Sequence, residues 1–276
     1  MIDSAPSFSW SQAFAVSTAL AGAGSLLHSL ELFAIRREFS AGGLLDWDVL
    51  RASHPALLRS GFGRWADQLF SQPAVLLLNL ALVSGSILII GRPSDPPVSA
   101  LCVVVGVRTL FNFRNSPAII GADQLQVLVL AACLCYLLVP ESGVAKACGW
   151  FVCLQLILSY VTAGLSKLVT PVWQRGIAMT DIVRSRATGL GLAYACARRF
   201  PALISLMCWV TIVFEIAFPW LVFGGPSACA VFLVTGVLFH VGVAMIMGLD
   251  EFLWAYLAAY PIALRCSIDV ERLWHG

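Results

Sequence analysis

KACGWFVCLQLILSYVTAGLSK, from Lys146 to Lys167, is an apolar run long enough to cross a hydrocarbon core about 30 Å thick, which takes roughly 20 helical residues. Its polar residues are ordered. Gln155, Ser159, Thr162 and Ser166 recur at i, i+4, i+7 and i+11, and Tyr160, Gly164 and Lys167 form the adjacent stripe. A helix patterned in this way is predicted to span a bilayer as one member of a bundle, with its polar face turned from lipid. Gly164 lets a neighbouring helix or ligand approach the backbone.

Further apolar runs flank this one at 12–34, 73–91, 98–113, 122–139, 203–223, 227–247 and 250–265. They predict an all-α fold, a polytopic transmembrane helical bundle of about eight membrane helices. Composition agrees: 59% of the 276 residues are apolar and 12% charged, against about 45–50% and about 25% in soluble domains. The whole chain, 1–276, reads as a single transmembrane domain with no separate soluble domain, embedded in a cell membrane with the lipid bilayer as its first partner. Residues 35–72 carry Arg36, Arg37, Asp46, Asp48, Arg51, Arg59, Arg64 and Asp67 among aromatic and leucine residues, which predicts short helices lying in the interface. Residues 168–202 read similarly. Trp10, Trp47 and Trp173 fit an aromatic belt.

A net charge of +2 offers no basic surface for nucleic acid. The nine cysteines fall mostly inside apolar runs, without CxxC or Cys/His ligand spacing, so they read as small buried hydrophobes and no metal site is expected. With eight spans, the excess of arginine in alternate connections, from Arg36 and Arg37 through Arg114 to Arg198 and Arg199, places those connections on the cytoplasmic side.

Ionisable groups at membrane depth usually face the bundle interior and mark function. His28, Glu31, Arg108, Lys167, Glu215 and His240 all lie in predicted spans. Threaded through eight helices, all but Glu215 fall in one half of the membrane, together with Asn115, Asp123 and Gln124. This predicts one polar chamber opening on one face, with Glu215 nearer the middle. Each residue has a plainer reading beside the functional one. Lys167 is either a partly desolvated amine suited to general-base work or a lysine snorkelling to the headgroups. His240 is either a proton carrier or a core histidine. Glu215 is either a site residue or the ion-pair partner of Arg108, and Asp123 with Gln124 either line the chamber or cap the fourth helix.

At these residues the chain resembles a known family. YVTAGLSKLVTPVWQRG, from Tyr160 to Gly176, is similar to the signature of the horizontally transferred transmembrane (HTTM) family, whose best-known relative is the membrane portion of vitamin K-dependent gamma-carboxylase. Arg114-Asn115 followed by Gly121 and Asp123-Gln124, and His240 followed by Gly248 and Phe252, fit the same pattern. Ser116 stands where the carboxylase has a histidine. The resemblance implies that Lys167 is the base that deprotonates a reduced quinone of the menaquinone or vitamin K type, with His240 as its catalytic companion. Arg108, Asn115, Asp123, Gln124, Tyr160, Trp173 and Glu215 then bind substrate. The implied activity is vitamin K-dependent carboxylase-like redox or proton-transfer chemistry, on a peptide or a lipid-soluble substrate, in a bacterial cytoplasmic membrane. Two other functions fit the same bundle: a non-catalytic, operon-encoded partner in maturing or exporting a secreted peptide, and a small-molecule transporter.

Overall fold

The first long helix, α1 (Trp10–Ala34), starts at Ser9, whose hydroxyl accepts the Gln12 backbone N–H while the Gln12 side chain accepts the Ser9 N–H. That reciprocal cap satisfies backbone donors which an apolar helix end would otherwise leave bare. α2 (Gln72–Gly91), α3 (Val98–Arg114), α4 (Gly121–Leu138), α5 (Ser142–Leu168), α6 (Pro201–Ile216), α7 (Pro226–Met247) and α8 (Asp250–His275) follow. Proline stands in the first turn of α2, α6 and α7, where a missing N–H takes nothing from the helix. α7 ends on Gly248 at φ +66°, a left-handed position that glycine occupies without strain. This computed structural model describes residues 8–55, 61, 63–115, 121–185 and 190–275; Arg59 and Ser116 lie outside the described residues. Every regular element among the described residues is helical.

The eight long helices match the eight apolar runs, with two differences. The predicted span 203–223 is broken at Ala217: α6 stops at Ile216, and a separate helix, Phe218–Phe223, follows. Pro219 has no N–H to offer the Glu215 carbonyl, and its ring crowds that carbonyl, so the helix ends before it. α8 runs on to His275, ten residues past the predicted end at 265. Its charged tail is held by an Arg265–Asp269 ion pair at 2.6 Å, one turn apart, and by Arg265 packing over the Trp10 ring at 4.9 Å.

Five helices, α1, α2, α4, α5 and α7, are long and apolar enough to cross a membrane, and a sixth span arises if α6 is joined to the helix Gly191–Arg199 that meets it at 106°. The protein is therefore a multi-pass integral membrane protein. α3, with 17 residues, and α8, with acidic and basic ends, fall outside that set. Burial explains how α8 tolerates its polarity: it packs against α1, α4, α5 and α7. Ala255, Ala258, Ala259 and Ala263 are fully buried on it, and small side chains let helices approach closely where lipid gives no hydrophobic drive for association.

The connection after α1 does form short helical segments, including Trp47–Leu50 and Gly63–Leu69. Trp47 is not part of an aromatic belt. It is 6% exposed, packs with Ala66 and Phe70 in a small second core, and donates its indole N–H to Asp67 at 2.8 Å. Asp46 caps the Trp47 helix by accepting backbone N–H groups from Gly42 at 2.8 Å and Asp48 at 3.1 Å, and those bonds hold its carboxyl below the usual range. Trp10, also expected in the belt, packs against Gly149 in the position a Cβ would fill.

Candidate functional site

Depth follows from that last contact. Trp10 and Gly149 bring α1 and α5 to a common level, and the two helices run onward in the same direction. His28 lies 28 − 10 = 18 residues further on and Lys167 lies 167 − 149 = 18 residues further on, each about 27 Å at 1.5 Å per residue. The polar groups of α1 and α5 thus share one end of the bundle, as the sequence predicts. They do not share one chamber.

The first group is built on α5. Lys167 meets Glu215 of α6 with both carboxylate oxygens, at 2.8 and 2.7 Å, and its ammonium lies 5.2 Å from the centre of the Trp173 ring. The Glu215 side chain is 5% exposed and that of Lys167 19%. Gly164 makes the pairing feasible, because a Cβ there would stand 2.8 Å from the Ile216 side chain and 3.0 Å from Glu215 Cβ. Glu215 is consequently level with Gly164, about 4.5 Å nearer the membrane middle than Lys167, and the lysine side chain reaches back to it past the Ala163 carbonyl at 3.5 Å. α6 runs antiparallel here: Gly176, nine residues after Lys167, abuts Ser205, ten residues before Glu215. Lys167 does not snorkel, and Glu215 does not pair with Arg108.

Two turns back from Lys167 on the same stripe, Tyr160 is 2% exposed and shares hydrogen bonds with His240 Nε2 at 2.9 Å and with the Tyr260 hydroxyl at 2.6 Å. Its ring stacks on Phe218 at 4.4 Å. Gly236 of α7 leaves the space for the two tyrosine hydroxyls; a Cβ there would run into Tyr260. Ser159 meets the Tyr256 hydroxyl at 2.5 Å. The rest of the predicted polar stripe differs. Thr162 and Ser166 are exposed and turn their hydroxyls back onto the Leu158 and Ala163 carbonyls of their own helix, which satisfies them without a partner helix.

The second group centres on Arg108 of α3, whose side chain is fully buried. Its Nη2 lies 3.3 Å from Asp123 of α4 and 3.3 Å from Glu251 of α8. The other oxygen of Glu251 is hydrogen-bonded to His28 Nδ1 of α1. Asn112 donates to the Asp123 backbone carbonyl at 3.1 Å. His28, Asn112, Asp123 and Glu251, with Glu31, Asn115 and the apolar Leu32, Ile35, Leu45 and Phe111, line a cavity of about 270 Å³. His28, Asp123 and Glu251 each present a ligand-type atom within 4.8 Å of the others. Gln124 is exposed and takes no part, while Gln126 is buried and donates to the Ala21 carbonyl at 2.7 Å. Asp123 falls in the first turn of α4, which begins at Gly121, rather than at its cap.

α8 separates the groups. Glu251 faces α1 and α3, whereas Phe252, Tyr256 and Tyr260 recur at i, i+4 and i+8 on the side facing α5 and α7. Sequence reasoning missed Glu251, Tyr256 and Tyr260. The i, i+4, i+8 aromatic spacing was the available signal for the tyrosines; Glu251 looked like an ordinary acidic helix start. Arg114, also fully buried, clamps the interfacial segment by donating to the Leu45 carbonyl at 2.5 Å and covering Phe39 at 4.9 Å. No family model matches the chain, and neither the curated proteins nor the solved structures compared with it give a match, so the reading of this site rests on its own residues.

Proposed function

We propose that this protein is a membrane enzyme that carries out proton transfer at the Lys167–Glu215 pair, on the hydroxyl of a lipid-soluble substrate such as a reduced quinone of the menaquinone or vitamin K type, in a bacterial cytoplasmic membrane. The observation that carries the reading is the bidentate ammonium–carboxylate contact, shielded from water, beside an aromatic ring at Trp173. Two charges taken out of water lose much of their advantage over the neutral amine and acid, so a proton moves between them readily. Lys167 passes one proton to Glu215, and the freed amine takes the proton of the substrate hydroxyl. The O–H bond breaks, Glu215 holds the extra proton, and the substrate oxyanion rests against the re-formed ammonium. Both groups then act in the transition state, one as proton acceptor and one as counter-charge. The resemblance of Tyr160 to Gly176 to the HTTM signature supports the quinol as substrate class. Tyr160, His240 and Tyr260 bound the far side of Gly164 and hold the α5–α7–α8 packing on which the pair depends.

The test compares the peptides and lipids of cells expressing the wild type, Lys167→Arg and Glu215→Gln by mass spectrometry, with quinone oxidation state measured in the same extracts. Arginine keeps the charge and the pairing but does not become neutral, so Lys167→Arg loses the product while the protein still inserts and purifies normally. Glu215→Gln is expected to lower turnover on the order of 100-fold or more. Full activity in Lys167→Arg excludes Lys167 as the base.

A further inference from the structure

The second polar group gathers several carboxylates around a single cavity. Glu31, Asp123 and Glu251 all border the cavity of about 270 Å³, with His28 beside them, and Arg108 pairs with Asp123 and Glu251. Carboxylates crowded in a partly buried site favour the binding of a cation.

The geometry points to a divalent metal ion held by His28, Asp123 and Glu251, and we propose this as a site separate from Lys167. Three helices, α1, α4 and α8, each bring one donor, and the donor atoms lie within 4.8 Å of one another. One imidazole nitrogen and two carboxylates suit a first-row divalent ion such as Mn²⁺. Arg108 fits the role of the residue that orients these ligands. Its Nη2 takes Glu251 Oε2 and Asp123 Oδ1, so that Glu251 Oε1 is turned toward His28. Outer partners of this kind fix the aim of metal-binding carboxylates. The cluster also holds unsatisfied nitrogens: the buried Nε2 of His28, which lines the cavity, and the Nε and Nη1 of the adjoining, fully buried Arg108 have no hydrogen-bond partner among the described residues. Buried polar groups of this kind are normally satisfied, and water completing the coordination of an ion in the cavity supplies a partner for His28 Nε2. The cavity leaves room for such water, and Asn112 and Asn115 form part of its wall.

The experiment is Mn²⁺ binding to the purified full chain in nanodiscs, stripped with chelator, followed by electron paramagnetic resonance and by metal analysis after desalting. Manganese is the chosen probe because the nine cysteines would capture a softer ion. The expected result is one Mn²⁺ per chain, with affinity falling 10-fold or more in His28→Ala and in Glu251→Gln, and with the wild-type melting temperature raised by the ion. Lys167→Met keeps full binding, which separates this site from the proton-transfer pair: its loss of activity with intact binding overturns neither reading. No saturable Mn²⁺ uptake by the wild type overturns the proposal, and so does uptake that His28→Ala leaves unchanged. If a variant fails to fold, the wild-type spectrum decides alone, since bound Mn²⁺ without nitrogen coupling excludes His28 as a ligand.

Discussion

At Lys167 one ammonium meets one carboxylate, with both oxygens engaged and a glycine opposite to bring the helices together. Around Arg108 one guanidinium serves two carboxylates through a single nitrogen, a third carboxylate lines the cavity beside them, and the other two guanidinium nitrogens have no partner among the described residues. Both groups sit at the same end of the bundle, and α8 stands between them. The contrast teaches that burial alone does not define a functional group in a membrane interior. On the readings proposed above, the closed, neutral pair exchanges a proton internally, and the open, carboxylate-rich cluster receives a cation.

The comparison is tested hardest at Arg108. Arg108→Leu removes the guanidinium that pairs with both Asp123 and Glu251, which is expected to destabilise by about 3–5 kcal/mol, more than any other change proposed here. Thermal unfolding in detergent measures it, and added Mn²⁺ recovers part of the loss if the cluster takes a cation. A loss below about 1 kcal/mol would mean that the carboxylates are already neutral, and the charge argument would fall. Lys167→Met is expected to cost about 3 kcal/mol for the same reason, since it takes one carboxylate's cation away in place of two. The double variant Lys167→Met with Glu215→Leu removes both charges, and its stability is expected within about 1 kcal/mol of the wild type while its activity is absent. A double variant as unstable as Lys167→Met would show that the site depends on ionisation and not on satisfied pairing.

Gly164→Ala sharpens the comparison from the packing side. The added Cβ meets Ile216 at 2.8 Å, so α6 must move, with an expected loss of about 1–3 kcal/mol and a larger fractional loss of turnover as Glu215 draws away from Lys167. The equivalent change at Gly106 of α3 meets nothing within 4 Å and serves as the control. Unequal stability with equal turnover in the two variants would separate helix packing from the chemistry.

Much of this arrangement was legible in the sequence because bilayer thickness and helical period are strict constraints. The run from Lys146 to Lys167 announced α5, and the stripe Tyr160, Gly164, Lys167 announced its buried face. Partners were harder, since pairing across helices depends on tilt and register, which local spacing does not carry. Pro219 ends α6 early, and the antiparallel register sets Glu215 beside Gly164, within reach of Lys167. Arg108 and Glu215, the natural opposite charges by eye, each found another partner. Thr162 and Ser166 belonged to the periodic stripe, yet hydroxyls can bond their own helix, so their spacing did not require burial. The role of α8 was hidden by its charged ends, which lowered its apolar signal although it packs against four long helices.

The smallest effect separates the hydrogen-bonded tyrosines from the charged groups beside them. Tyr160→Phe deletes one hydroxyl and leaves the ring stacked on Phe218, so shape is kept. Two partners then lose a bond, His240 Nε2 and the Tyr260 hydroxyl, and in this buried setting each has little else to turn to. A neutral hydrogen bond contributes about 1 kcal/mol net, so a loss of about 1–2 kcal/mol is expected, against less for Tyr260→Phe, which leaves the Tyr160–His240 bond in place. If Tyr160→Phe leaves stability unchanged but lowers turnover, the hydroxyl serves the reaction and the proton path extends from Lys167 to His240. If stability and turnover fall together and only slightly, Tyr160 and His240 pack the bundle, and the chemistry stays with Lys167 and Glu215.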